Sequence, residues 1–287
     1  MDATFLSRYR SIRENLRERH RDIVVVLAPP RTSSTALVRV FWRHPGVGYY
    51  NNEPFDRSYH HHAPLVTVLD HLDRSTVAVP DEPRGDALVI KDMTFQAGRH
   101  FRLLADLVTA PLVFVLRDPR LSISSRMRMV AADGGVPTYP QRESGWEVLF
   151  EQVQACRVEG RSYVLIDAGD FRAAPEAVFS RLFVALGMTF ERSQLQWSPA
   201  PDVRLGNLDG AQHNWYRRVL NSRGLQPTTE KVPPLETFPV RGGFRAHVER
   251  SVQLYRLLRR DPRLLTPTCP TSVLANSRDR ALTGAQR

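Results

Sequence analysis

The stretch VVVLAPPRTSST, residues 24–35, decides the fold. An apolar run from Ile23 to Leu27 meets Pro29 and Pro30, then Arg31, then four hydroxyl residues, Thr32, Ser33, Ser34 and Thr35. Helical periodicity resumes at once with Leu37, Val38, Phe41 and Trp42. An apolar run without polar alternation is the pattern of a strand buried on both faces. Strand, tight turn and helix in immediate succession bring free backbone N–H groups and the positive end of a helix dipole to one point, which is an anion site. The hydroxyls and Arg31 add donors suited to phosphate. The stretch lacks the GxxxxGK[ST] pattern of a Walker A loop, and taken alone it fits a Ser/Thr N-cap after an ordinary strand equally well.

Outward from it, three more apolar runs predict buried strands: DALVIKDM (86–93), PLVFVLRD (111–118) and SYVLIDAG (162–169). Helical patterns separate them. One covers about 99–109; a second starts at Pro119 with Asp118 as N-cap; a third covers 144–160, with Ser144 and Glu147 at capping-box spacing. A fourth opens at Pro175 and closes at Gly187, and a last amphipathic helix covers about 244–260. Strand and helix alternate, which predicts an α/β protein with a central parallel sheet flanked by helices. Residues 131–142 and 189–243 are rich in Gly, Pro and polar side chains and are expected to be lids or substrate walls. The expected organisation is a single domain over 1–265, with a disordered tail at 266–287.

Composition narrows the function classes. No apolar run approaches the ~20 residues that span a bilayer. The N-terminal segment has no secretory core, and its Phe5, Leu6, Tyr9, Ile12 and Leu16 fit an amphipathic helix. Cys156 and Cys269 are too isolated for a disulfide framework or a CxxC metal site, so a soluble cytoplasmic protein is expected. The net charge of +10 raises a nucleic-acid reading, but the arginines are scattered and no recognition helix, zinc spacing or aromatic–basic motif accompanies them. Lysine occurs only at Lys91 and Lys231, so 38 of the 40 basic residues are arginine, the bias that a GC-rich coding sequence gives. Against that bias, Lys91 marks a position suited to a compact ammonium rather than a planar fork.

VFVLRDPRLSISS carries Arg117 at a strand end and Ser125 eight residues later in the following helix. With APPRTSST ahead of it, this resembles the nucleotide-binding pair of the sulfotransferases that use 3′-phosphoadenosine 5′-phosphosulfate. HPGVGYYNNEPF (44–55), VIKDM (89–93), YVLIDAGDFRAAPEAVFSRLFVALGM (163–188) and RGGF (241–244) resemble further family segments in the same order, over about residues 20–260. The resemblance implies a P-loop-like sulfotransferase fold. It also implies that Arg31, Thr32, Ser33, Ser34 and Thr35 hold the 5′-phosphosulfate, that Arg117 and Ser125 hold the 3′-phosphate, and that Arg241, Gly242 and Gly243 form a basic loop near the nucleotide. Four departures stand out. Ser33 takes a position that is usually glycine, Arg31 one that is often lysine, Met93 one that often carries the catalytic histidine, and Asp167 and Asp170 replace a Glu-Asp-Leu pattern.

With no base at Met93, Glu53 of NNEPF is the candidate proton acceptor, and Arg31 and Lys91 are the candidates for stabilising charge on the sulfuryl and bridging oxygens. The expected co-substrate is phosphoadenosine phosphosulfate with no metal. The expected acceptor is a hydroxyl or amine on a small molecule or carrier protein, with sulfation either final or an activating step of secondary metabolism. A non-catalytic nucleotide-binding scaffold working with a protein partner is the alternative, since Ser33 and Met93 also fit a lost activity. His60, His61 and His62 are consecutive and lack metal-ligand spacing. Gly134 and Gly135 mark a mobile loop. Trp197, Trp215 and Tyr216 are expected either to line an acceptor pocket or to pack the long excursion.

Overall fold

The structure is a computed structural model that describes residues 2–80, 85–203, 205 and 213–268. Within these, strands β1 (Ile23–Ala28), β2 (Val47–Asn52), β3 (Val77–Ala78), β4 (Ala87–Met93), β5 (Leu112–Leu116), β6 (Tyr163–Asp167) and β7 (Leu264–Leu265) form one sheet in the order β3-β2-β4-β1-β5-β6-β7. Every pairing is parallel except β2 with β3. β1 shows why its sequence lacks polar alternation. Val24, Val26 and Ala28 enter the core on one face of the sheet, and Ile23, Val25 and Leu27 enter the core on the other. β5 divides in the same way, Val113 and Val115 against Leu112, Phe114 and Leu116.

The strand order sets the position of the site. After β1 the chain passes to one side of the sheet to make β2, and after β4 it passes to the other side to make β5. Parallel α/β sheets hold their ligands in the crevice at such a reversal, outside the carboxyl ends of the strands. Arg31, Glu53 and Arg117 follow the carboxyl ends of neighbouring strands, and Met93 ends the strand between two of them.

The Asp118 cap forms as expected. Its carboxylate accepts the Arg120 N–H at 2.9 Å, and Pro119 opens the helix Pro119–Ala132. Gly187, at φ 76°, closes the helix Pro175–Leu186. The N-terminal helix Ala3–Arg19 buries Tyr9, Ile12 and Leu16 but leaves Leu6 exposed. In place of the continuous helix expected at 99–109 stand a 3-10 turn, Gly98–Phe101, and a short helix, Arg102–Ala105; Gly98, at a φ of 48°, separates them from the preceding turn Thr94–Ala97. The expected Ser144 capping box does not form. Gly145, at φ 78°, is the N-cap of the helix Trp146–Val158, and the Ser144 hydroxyl sits 2.8 Å from His247 Nε2. VGYYNN was not expected as a strand, yet it forms β2, and Ala131 and Ala132 belong to a helix rather than to the 131–142 loop. Of the expected tail, residues 269–287, including Cys269, lie outside the described residues.

The 189–243 excursion is clamped to the body by a residue with no sequence motif, Arg39 of the helix Ser34–Trp42. Its guanidinium donates to the carbonyls of Val219 (2.9 Å), Leu220 (3.1 Å) and Ser198 (2.7 Å), and it stacks against Trp42 and Trp197. Trp197 is therefore a packing residue, buried in the core and bonded through Nε1 to Ser222. The excursion also carries the helix His213–Leu220.

Candidate active site

The loop leaving β1 adopts left-handed backbone twice, at Arg31 (φ 63°) and at Ser33 (φ 67°). Among the described residues only Glu53 (φ 52°) and His62 (φ 52°) share this conformation without being glycine. A non-glycine residue held there costs about 1–3 kcal/mol, and such strain concentrates where a site requires it. Arg31, Ser33 and Glu53 line the same cavity, of about 480 Å³. Ser33 is the N-cap residue of the helix Ser34–Trp42, but its side chain caps no amide, so the first N–H groups of the helix are left to the cavity that Ser33, Ser34 and Thr35 line. The Ser33 hydroxyl instead accepts from Arg172, at 3.3 Å from Nε and 3.2 Å from Nη2.

Arginines gather on this side of the cavity. Arg31 Nε donates to Ser125 Oγ at 3.1 Å and its Nη1 to the Trp215 carbonyl at 2.9 Å. Arg117 Nη1 donates to the Arg31 carbonyl at 2.8 Å, and its Nη2 pairs with Glu230 at 2.6 Å. Burial, and then the nearby Arg117 charge, lowers the pKa of Arg31 and pushes that of Arg172 down to about 10. Cationic charge is thus in excess in a confined space, and a multiply charged anion is what relieves it. The residues present therefore fit a multiply charged anion.

At the other end lies Glu53, 3% exposed. The β2–β4 register pairs Asn52 with Lys91, and the Glu53 amide donates to the Lys91 carbonyl at 2.7 Å, which places Glu53 beside Lys91. Lys91 Nζ lies 2.5 Å from Glu53 Oε1, which also accepts the Tyr216 hydroxyl, and Gln96 Nε2 lies 3.3 Å from Oε2. Burial would raise the Glu53 pKa. The Lys91 charge and the hydrogen bonds from Lys91, Tyr216 and Gln96 prevail and hold it below the usual carboxylate value. Asp92 braces the turn from beneath by accepting the Phe55 and Met93 amides at 3.0 and 2.7 Å. Burial and the Glu53 charge hold its own carboxyl well above the usual range.

Of the residues expected from sequence, Arg31, Ser33, Ser34, Thr35, Glu53, Arg117 and Ser125 come together on the cavity wall, with Met93 beside them. Thr32 does not; it is fully buried and its hydroxyl closes the turn on the Pro29 carbonyl at 2.8 Å. Lys91 is fully buried and committed to Glu53 rather than exposed to the cavity. Arg241, Gly242 and Gly243 are exposed, form the turn before the helix Phe244–Leu258 and do not line the cavity. Trp215 and Tyr216 do line it. Sequence reasoning passed over Arg172, Gln96 and Glu230. Arg172 stood in the quoted DFRAAP segment, where one arginine among 38 gave no signal.

No protein-family model and no curated protein matches the chain. Among solved structures it is similar to the sulfotransferase domain from the Synechococcus PCC 7002 olefin synthase, with a TM-score of 0.50 and 16% identity, over 84% of this chain and 95% of that one. It is also similar to the sulfotransferase domain from the curacin biosynthetic pathway (TM-score 0.48, 15% identity, 81% and 96% covered). A third likeness is to mouse sulfotransferase SULT7A1 complexed with PAP (TM-score 0.43, 10% identity, 95% and 93% covered). The olefin synthase domain shows the shared architecture: the chain has the sulfotransferase fold, as its motifs led one to expect.

Proposed function

We propose that the chain transfers a sulfuryl group from 3′-phosphoadenosine 5′-phosphosulfate to a hydroxyl or amine of a small-molecule or carrier-bound acceptor. One observation carries this reading: a single cavity joins an uncapped helix N-terminus and its arginines to a buried, ionised glutamate. Arg31 and the amides that open the Ser34–Trp42 helix would hold the phosphosulfate end, with Arg172 beside Ser33 adding charge. Arg117 and Ser125 would hold the 3′-phosphate. The donor supplies a sulfuryl group on a phosphate leaving group, and the chain's part is to orient it and to take the acceptor's proton on Glu53. Lys91 serves in this reading by keeping Glu53 ionised. A sulfate ester leaves readily, so the same step also serves as activation before elimination or ring closure.

A non-catalytic nucleotide-binding protein is the second reading, favoured by Met93 and by the Lys91 ammonium being committed to Glu53. It requires binding without turnover.

Calorimetric titration with adenosine 3′,5′-bisphosphate against adenosine 5′-phosphate tests the donor site. The expected result is micromolar affinity for the bisphosphate, weakened at least about 10-fold when its 3′-phosphate is missing and by a similar factor in Arg117→Ala. Equal affinity for the two nucleotides, or none, removes the reading.

A further inference from the structure

Tyr216 lies in the helix His213–Leu220 of the long excursion, yet its side chain is 7% exposed and reaches the catalytic end of the cavity. Its hydroxyl donates to Glu53 Oε1, the oxygen that Lys91 Nζ approaches at 2.5 Å, and Nζ lies 5.4 Å from the centre of the Tyr216 ring. A carboxylate oxygen has two lone-pair sites, so Oε1 is filled. Among the described residues, Oε2 has only Gln96 Nε2, at 3.3 Å. The glutamate is thus divided into one saturated oxygen and one left to accept a proton. Its backbone, at φ 52°, keeps that conformation only while the surroundings impose it.

We propose that Tyr216 is a positioning residue: its hydroxyl fixes the Glu53 carboxylate with Oε2 as the accepting oxygen, so that the base is complete only when the 213–220 helix is docked. This rests on the sulfuryl-transfer reading above. The groups facing Glu53 come from every neighbouring element. Lys91 and Asp92 belong to β4, Tyr50 to β2, Asp56 to the turn of helix that follows, and His71 to the helix Val66–Arg74. Among the described residues, only Tyr216 reaches Glu53 from the excursion. The same helix lends its Trp215 carbonyl to Arg31, which ties the docked position of Tyr216 to the donor side of the cavity.

The variant Tyr216→Phe removes one hydroxyl and keeps the ring over Lys91. With glutamate labelled at the ¹³C carboxyl, the wild type and the variant are titrated by NMR. Transfer from radiolabelled phosphoadenosine phosphosulfate to a panel of phenols, alkanols and alkylamines is followed against pH. A hydrogen bond to the ionised form lowers a carboxyl pKa, so its loss is expected to raise the Glu53 midpoint by about 1 unit. The acid limb of the rate profile should move up with it, and the plateau rate should fall about 10-fold. A packing role alone would lower thermal stability and leave the Glu53 titration in place. An unmoved midpoint, or a moved midpoint with an unchanged rate, overturns the proposal. Absence of transfer by the wild-type chain overturns the functional reading, and with it any role of Tyr216 toward a base; that failure is seen in the wild type, whereas failure of the Tyr216 assignment is seen only in the variant.

Discussion

Ser33 holds a β-carbon in left-handed backbone at the point where the first amides of a helix face the cavity. The conformation was not legible in the sequence, which showed only a serine where the sulfotransferases it resembles usually have glycine. The fold imposes the glycine-like geometry regardless, and the hydroxyl gains Arg172 as a partner. Ser33→Gly is therefore expected to relieve about 1 kcal/mol of strain and raise Tm by about 2 °C, with bisphosphate affinity kept within about 3-fold. Ser33→Val should lower both Tm and affinity, since a branched side chain tolerates this conformation least. Differential scanning calorimetry with and without the nucleotide reads both effects, and a lower Tm for the glycine variant would refute the strain account. Glu53 was legible as a lone carboxylate beside a proline, and Lys91 as a rare lysine. That they form one buried pair depends on the register of β2 against β4, which no local pattern encodes.

At the scale of the element, the 213–230 segment matters most to the site and was the least legible. Its composition marked it as a lid or wall, but its contacts are made over long sequence separation. Glu230 pairs with Arg117 at 2.6 Å and lies 3.6 Å from Arg128 and 3.8 Å from Arg218. The chain thus places its own carboxylate on the arginine proposed to hold the 3′-phosphate. A phosphate arriving there must displace it, and removing the charge leaves the arginines free to attract the ligand. Glu230→Gln is expected to tighten binding of adenosine 3′,5′-bisphosphate about 10-fold by calorimetry. Unchanged or weaker affinity would mean that Glu230 does not compete for Arg117.

Across the whole molecule, burial sets the response to acid. His20, His44, His71 and His247 all have pKa values lowered chiefly by burial, and that of His71 is pushed down to about 4. Each is neutral in the fold, and the unfolded chain protonates first, near pH 6.5, so their contribution to stability is lost as pH falls from about 6.5 toward the folded value. Asp92 and Asp167 act with the opposite sign, because burial raises their pKa values and the folded state holds the proton more tightly. A comparison between variants isolates one group. Between pH 7 and pH 5, the wild type is expected to lose about 2 kcal/mol more than His71→Gln in urea unfolding. Parallel losses in the two proteins would show that His71 is not the buried neutral group assigned here.

Local sequence was enough for the α/β class, the buried central strands and the Asp118 and Gly187 helix ends. Each of these is written in a local pattern: an apolar run, a cap or a turn residue. The tertiary structure alone decided that VGYYNN is a strand, that Lys91 faces Glu53 rather than the cavity, that Arg39 clamps the excursion, and that Tyr216 and Glu230 meet the site. Those outcomes depend on strand register and on contacts between residues far apart in the chain. No short window of sequence carries that information, because each partner finds its place only when the sheet has formed between them.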